Sequence, residues 1–187
     1  MATPVRLRRK QMLQEAEGYL DLLMGFADQW PLPADVRNVV AERGLATLDR
    51  VKEAGPDRAR LLYLRGQMLR VLEKYDQAVV PLAAAADLEP ENVQIHLALG
   101  WCYKRIGRLD RAIEALEAIL QVDRSEAIVY YNLACYWSLA RDKRRAIDYL
   151  ARAIDMDGHY RELIDQESDF DAIRSDPEFQ SLTSVIV

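Results

Sequence analysis

Sliding this sequence against itself by 34 residues brings its small and large residues into register, and that period limits the fold more than any other feature of the chain. Gly66 falls on Gly100 and Ala134, and Ala78 falls on Ala112 and Ala146. Leu82 falls on Leu116 and Leu150, with Leu48 one period upstream, and Pro56 falls on Pro90. Leu69, Tyr103 and Trp137 share a column, as do Ala85, Ile119 and Ala153. Within each period apolar residues recur at steps of three and four, the spacing of a helix with one buried face. A glycine inside a helix costs about 1 kcal/mol relative to alanine. Gly100 in mid-helix therefore marks a close approach of two helices, where tertiary burial offsets the lost propensity.

These columns resemble the tetratricopeptide repeat, whose 34-residue unit is a pair of antiparallel helices. The first clear unit carries Leu62, Arg65, Gly66, Leu69, Ala78, Leu82, Ala85 and Pro90 in the family's columns. The second carries His96, Leu99, Gly100, Tyr103, Ala112, Leu116, Ile119 and Arg124; the third carries Tyr130, Leu133, Ala134, Trp137, Ala146, Leu150, Ala153 and Gly158. Arg65 stands in place of a leucine, Arg124 and Gly158 in place of prolines, and Lys143 in place of an aromatic, and none of these breaks the period. The resemblance implies an all-α fold, a right-handed superhelical solenoid of antiparallel helix pairs. It divides the chain into a divergent N-terminal helix pair at 1–58, repeats at 59–92, 93–126 and 127–160, and a capping segment at 161–187.

Residues 6–28 form one amphipathic helix containing YLDLLMGF, and Trp30-Pro31-Leu32-Pro33 is a break, since each proline biases its predecessor away from helix. Residues 34–54 form a second helix ended by Gly55-Pro56. Pro81 removes one backbone hydrogen bond, toward Gln77, and bends its helix slightly. From Asp155 onward nine acidic residues stand against Arg161 and Arg174. Asp176-Pro177-Glu178 is a helix start, with a capping acid and proline at the first helical position. A solenoid needs a terminal element with a polar outer face, and this acidic segment also resembles the closing region of bacterial tetratricopeptide arrays.

The net charge of −5 offers no basic surplus for a nucleic-acid partner. No apolar run reaches the roughly 20 residues of a membrane span. Cys102 and Cys135 are the only cysteines, lie on neighbouring first helices with side chains pointing differently, and form no disulfide framework. They suggest a reducing compartment, and the expected location is the cytoplasm. His96 and His159 lie far apart in sequence, and His96 occupies a packing column. No Cys-x-x-Cys, His-x-x-x-His or glycine-rich phosphate loop occurs. Asp165, Glu167, Asp169 and Asp171 alternate as in a calcium loop, but Phe170 replaces the required glycine and Asp176 the bidentate glutamate. The expectation is a chain with no catalytic residue, metal ligand or cofactor.

In each first helix, columns 4, 7, 8 and 11 bury against the second helix, and columns 2, 5, 9 and 12 turn well over 90° away at about 100° per residue. The resemblance makes that second face the lining of a concave groove. In the first unit it presents Tyr63, Gln67 and Arg70. The second presents Leu97, Trp101 and Lys104, with Arg105 beside them. The third presents Ile128, Tyr131 and Cys135, with Asn132 beside them. Aromatic rings rimmed by cations fit an interface of anchors and rim. The columns of a Lys/Asn/Arg carboxylate clamp read Tyr63, Gln67, Ala98, Ile128 and Asn132; Asn132 alone fits, so no such clamp is expected. The reading is a non-catalytic adaptor holding a peptide or protein segment with an apolar anchor and acidic flanks. The alternative is an assembly-type protein that associates with itself through its N-terminal helix.

Overall fold

The computed structural model describes residues 4–25, 32–51 and 55–184, and among these every regular element is helical. They cluster into two compact units, 1–89 and 90–187. Trp30 and Pro31, residues 26–28 of the expected first helix and residues 52–54 of the expected second lie outside the described residues.

The first unit contains α1 (Pro4–Gly25), α2 (Ala34–Asp49), α3 (Arg58–Val71) and α4 (Tyr75–Leu88). Helix α2 ends at Asp49, short of the glycine and proline that the sequence offers as a stop; Gly55–Asp57 form a 3-10 turn leading into α3. Sequence neighbours pack together, and α1 also reaches α3. The apolar stripe of α1 supplies Leu13, Ala16, Leu20 and Leu23 to a core shared with Ala41, Leu48, Leu64 and Met68. Within YLDLLMGF, Leu20 and Leu23 are buried in this core, while Leu22 and Met24 are exposed. Ion pairs tie the helices at their rims, Arg9 to Asp57 at 2.8 Å and Arg65 to Asp49 at 2.7 Å.

The second unit contains α5 (Val93–Arg105), α6 (Leu109–Leu120), α7 (Ala127–Leu139) and α8 (Lys143–Met156). It closes with α9 (Tyr160–Leu163), two 3-10 turns at 164–166 and 168–170, and α10 (Pro177–Thr183). Its core runs from Ala112 and Leu116 through Leu133, Ala134 and Leu150 to Phe170 and Phe179 of the closing segment. Asp176 caps α10 as its sequence implies, accepting from the N–H groups of Glu178 and Phe179.

The small residues of the period sit where partners touch. A Cβ built on Gly66 would collide with the Leu82 side chain, and one on Gly100 would lie 3.2 Å from Leu116 Cγ and 3.3 Å from the Ala112 carbonyl oxygen. The turn inside each helix pair is also periodic. Glu73, Gly107 and Arg141, spaced 34 residues apart, all adopt left-handed backbone, with φ of 58°, 76° and 65°. At each, the next residue's N–H reaches five residues back: Lys74 to Leu69, Arg108 to Tyr103 and Asp142 to Trp137, at 2.9, 2.9 and 3.0 Å. That is the Schellman closure, which satisfies the last carbonyls of the first helix and reverses the chain.

Candidate functional site

The candidate residues fall in both units and are taken unit by unit. In the first, Tyr63, Gln67 and Arg70 lie on α3 one turn apart and join into a ladder. Gln67 Nε2 donates to Tyr63 Oη at 2.7 Å, and Arg70 Nε donates to Gln67 Oε1 at 2.7 Å. Arg70 also contacts Met24 Sδ of α1 at 3.4 Å, and Arg60 makes two hydrogen bonds to Glu17 of the same helix. Gln67 is buried and both of its amide groups are engaged, so this row is held in place by its own network. A buried amide that meets its partners costs little; one that loses a partner forfeits about 1–3 kcal/mol.

In the second unit the face splits in two. The open part consists of Leu97, Trp101 and Arg105 of α5 with Ile128 and Asn132 of α7. The Arg105 guanidinium lies 5.5 Å from the centre of the Trp101 ring, within cation–π range, while Ile128 is exposed. Asn132 turns its amide back along its own helix, donating to the Ile128 carbonyl at 2.9 Å.

The other part is covered by the chain itself. Phe170, fully buried, sets its ring edge-on to Tyr131 at 5.8 Å, and Tyr160 stacks on the same ring at 4.8 Å. Lys104 pairs with Asp169, whose side chain is 8% exposed. Tyr131 and Cys135 are consequently buried, at 8% and 2% exposure, and present no surface to a ligand while the 168–170 turn is seated. Periodicity along α7 could place these side chains on one face but could not see what covers that face. The available signal was local: Asp169 and Phe170 put a carboxylate and a ring side by side in an acidic segment.

The electrostatics of the covered part are those of a filled cation position. Cys135 Sγ, a Glu167 oxygen and an Asp169 oxygen lie within 4.8 Å of one another. Burial, reinforced by Glu167 and Asp169, pushes the Cys135 thiol well above its ordinary value. Lys104 already supplies a positive charge to Asp169. Burial likewise raises the Tyr131 hydroxyl. Cys102 and Cys135 are both buried and form no disulfide among the described residues. His96 is buried, with Nδ1 donating to the Ala115 carbonyl at 2.7 Å, and serves packing.

Comparison with known proteins agrees with this architecture. The family model for the tetratricopeptide repeat matches residues 72–134. Over 80 residues the chain is 30% identical to anaphase-promoting complex subunit 3 of Dictyostelium discoideum; the match covers 43% of this chain and 8% of that relative's length. Among solved structures, MamA AMB-1 matches with a TM-score of 0.58 at 22% identity, over 81% of this chain and 97% of that one. MamA from Desulfovibrio magneticus RS-1 matches at 0.59 and 19% identity, over 90% and 93%. YrrB, described as a tetratricopeptide repeat protein with an unusual peptide-binding site, matches at 0.61 and 19% identity, over 84% of each chain. At such identities the solved structures speak for the fold alone. No helix among the described residues is long and apolar enough to cross a membrane.

Proposed function

From a chain built of tetratricopeptide repeats, we propose a non-catalytic interaction module that holds a peptide or protein segment on the open face of α5 and α7. The observation that carries this reading is Trp101, a large ring left partly accessible on a surface whose bland alternative is Glu, Lys and Ser, with the Arg105 guanidinium beside it. An aromatic anchor next to an arginine is the composition of an interface hot spot. Leu97 and Ile128 extend the apolar surface to either side.

The chemistry of the ligand follows from what the neighbouring part of the face already accepts. Asp169 and Phe170 dock there as a carboxylate on Lys104 and a ring on Tyr131. A segment with an aromatic or aliphatic anchor and acidic flanks would make contacts of the same kind with Trp101 and Arg105, and YrrB is described as having a peptide-binding site in a protein of this fold. Self-association through α1 has less to rest on, because Leu13, Ala16, Leu20 and Leu23 are already covered by the chain's own helices.

Selection of peptides from a random display library against the immobilised full-length chain, followed by fluorescence anisotropy, tests the proposal. Peptides with a ring or branched aliphatic residue between acids should emerge. Their affinity should fall by about tenfold or more with Trp101→Ala, the loss of a hot-spot ring, while far-ultraviolet circular dichroism stays unchanged. Equal affinity for wild type and variant would remove Trp101 from the site.

A further inference from the structure

Elsewhere in the second unit, α6, α7, α8 and the α6–α7 connection line an open cavity of about 690 Å³. Its aromatic part is Tyr130 and Tyr149, with ring centres 6.2 Å apart. Three arginines line it, in a protein whose net charge is −5. Each guanidinium is oriented by a different contact. Arg124 Nε donates to the Leu120 carbonyl at 2.9 Å, Arg145 lies 4.3 Å from the Trp137 ring centre, and Arg152 lies 6.0 Å from that of Tyr130. Arg145 has a carboxylate partner in Asp142. Among the described residues Arg124 and Arg152 have none, and the Tyr130 hydroxyl makes no hydrogen bond.

Two guanidinium forks and a phenol directed to an open, ring-lined cavity call for an oxyanion with an apolar neighbour. The cavity also contains Glu117 and Asp148, so its own balance is one positive charge. That balance favours carboxylates over a phosphate dianion, which the two resident acids would repel. The acidity of the whole chain disfavours nucleic acid. We propose that this cavity binds an acidic peptide segment, its carboxylates bridging Arg124 and Arg152 and an adjacent apolar side chain lying on Tyr130 and Tyr149. The α5/α7 face takes no part in it.

The test is fluorescence anisotropy on the full-length chain with a fluorescein-labelled peptide of alternating glutamate and leucine. Saturable binding is expected, weakening as salt rises from about 50 to about 300 mM and falling about tenfold or more in Arg124→Gln/Arg152→Gln. Both arginines are exposed, so the fold should survive. Should that variant nevertheless fail to fold, Arg152→Lys, which keeps the charge and loses the fork, should still weaken binding several-fold. Every arm is read in the Trp101→Ala background, which removes the α5/α7 face, so the binding and its arginine dependence belong to this cavity alone. Absence of saturable binding would overturn the proposal. So would equal affinity in the arginine variants, equal binding of a glutamine–leucine peptide, or tighter binding of the corresponding phosphoserine peptide.

Discussion

Glu73, Gly107 and Arg141 occupy equivalent left-handed turns, yet only one of them is the residue that backbone geometry prefers. For a residue with a Cβ this conformation costs on the order of 1 kcal/mol. Arg141 is exposed, so Arg141→Gly should raise the stability of the chain by about 1 kcal/mol in urea unfolding; an unchanged or lower midpoint would deny the strain. Gly66 presents the opposite case. Its missing side chain makes room for Leu82, and Gly66→Val should cost about 2 kcal/mol through overpacking, read in the same assay. These positions differ in how plainly they showed in the sequence. Gly66, Gly100 and Ala134 form a visible column because only small residues fit. The turn column is invisible by composition, since glutamate, glycine and arginine share nothing but a backbone angle that the hydrogen bonds of the turn enforce.

Among elements, the closing segment does the least expected work. Its caps were legible: Asp176 before Pro177 is a local signal, and local signals survive without knowledge of the fold. Its docking was not, because the contact of Asp169 and Phe170 with Lys104 and Tyr131 spans long sequence separations that no period records. Two lysines on this segment's contacts should behave differently. Lys104→Ala strands the mostly buried Asp169 carboxylate and should cost about 3 kcal/mol, whereas Lys143→Ala opens an exposed pair with Asp176 and should cost far less, as thermal denaturation of both variants will show. Acid should loosen the same segment. The hydrogen bond from Lys143, with the N–H groups of Phe179 and Glu178, holds the Asp176 carboxyl below its ordinary value. A carboxyl depressed in the folded state contributes stability above its unfolded value of about 3.9, and loses it as pH falls through the folded value. Below about pH 4 the wild type should therefore lose stability more steeply than Asp176→Asn, which keeps the cap without the charge; parallel pH curves would contradict this.

At the scale of the whole molecule, the paired-helix architecture could be read from one number, the 34-residue period, because close packing repeats wherever the small residues do. The proposed binding surface could be read only in part. Helical geometry gave the faces of α5 and α7, and Trp101, Arg105 and Ile128 lie there accessible; Tyr131 and Cys135 share the same columns but are roofed by Phe170 and its neighbours. Period fixes which way a side chain points, and chain-distant packing decides whether anything reaches it. The central assertion is that the accessible remainder of that face receives a peptide. It is tested most directly by saturation-transfer NMR on the full-length chain, with a display-selected peptide as the source and the protein amides as the detector. The expected footprint covers Leu97, Trp101, Arg105, Ile128 and Asn132. A footprint confined to other surfaces, or bound peptide that leaves these five amides untouched, would contradict it.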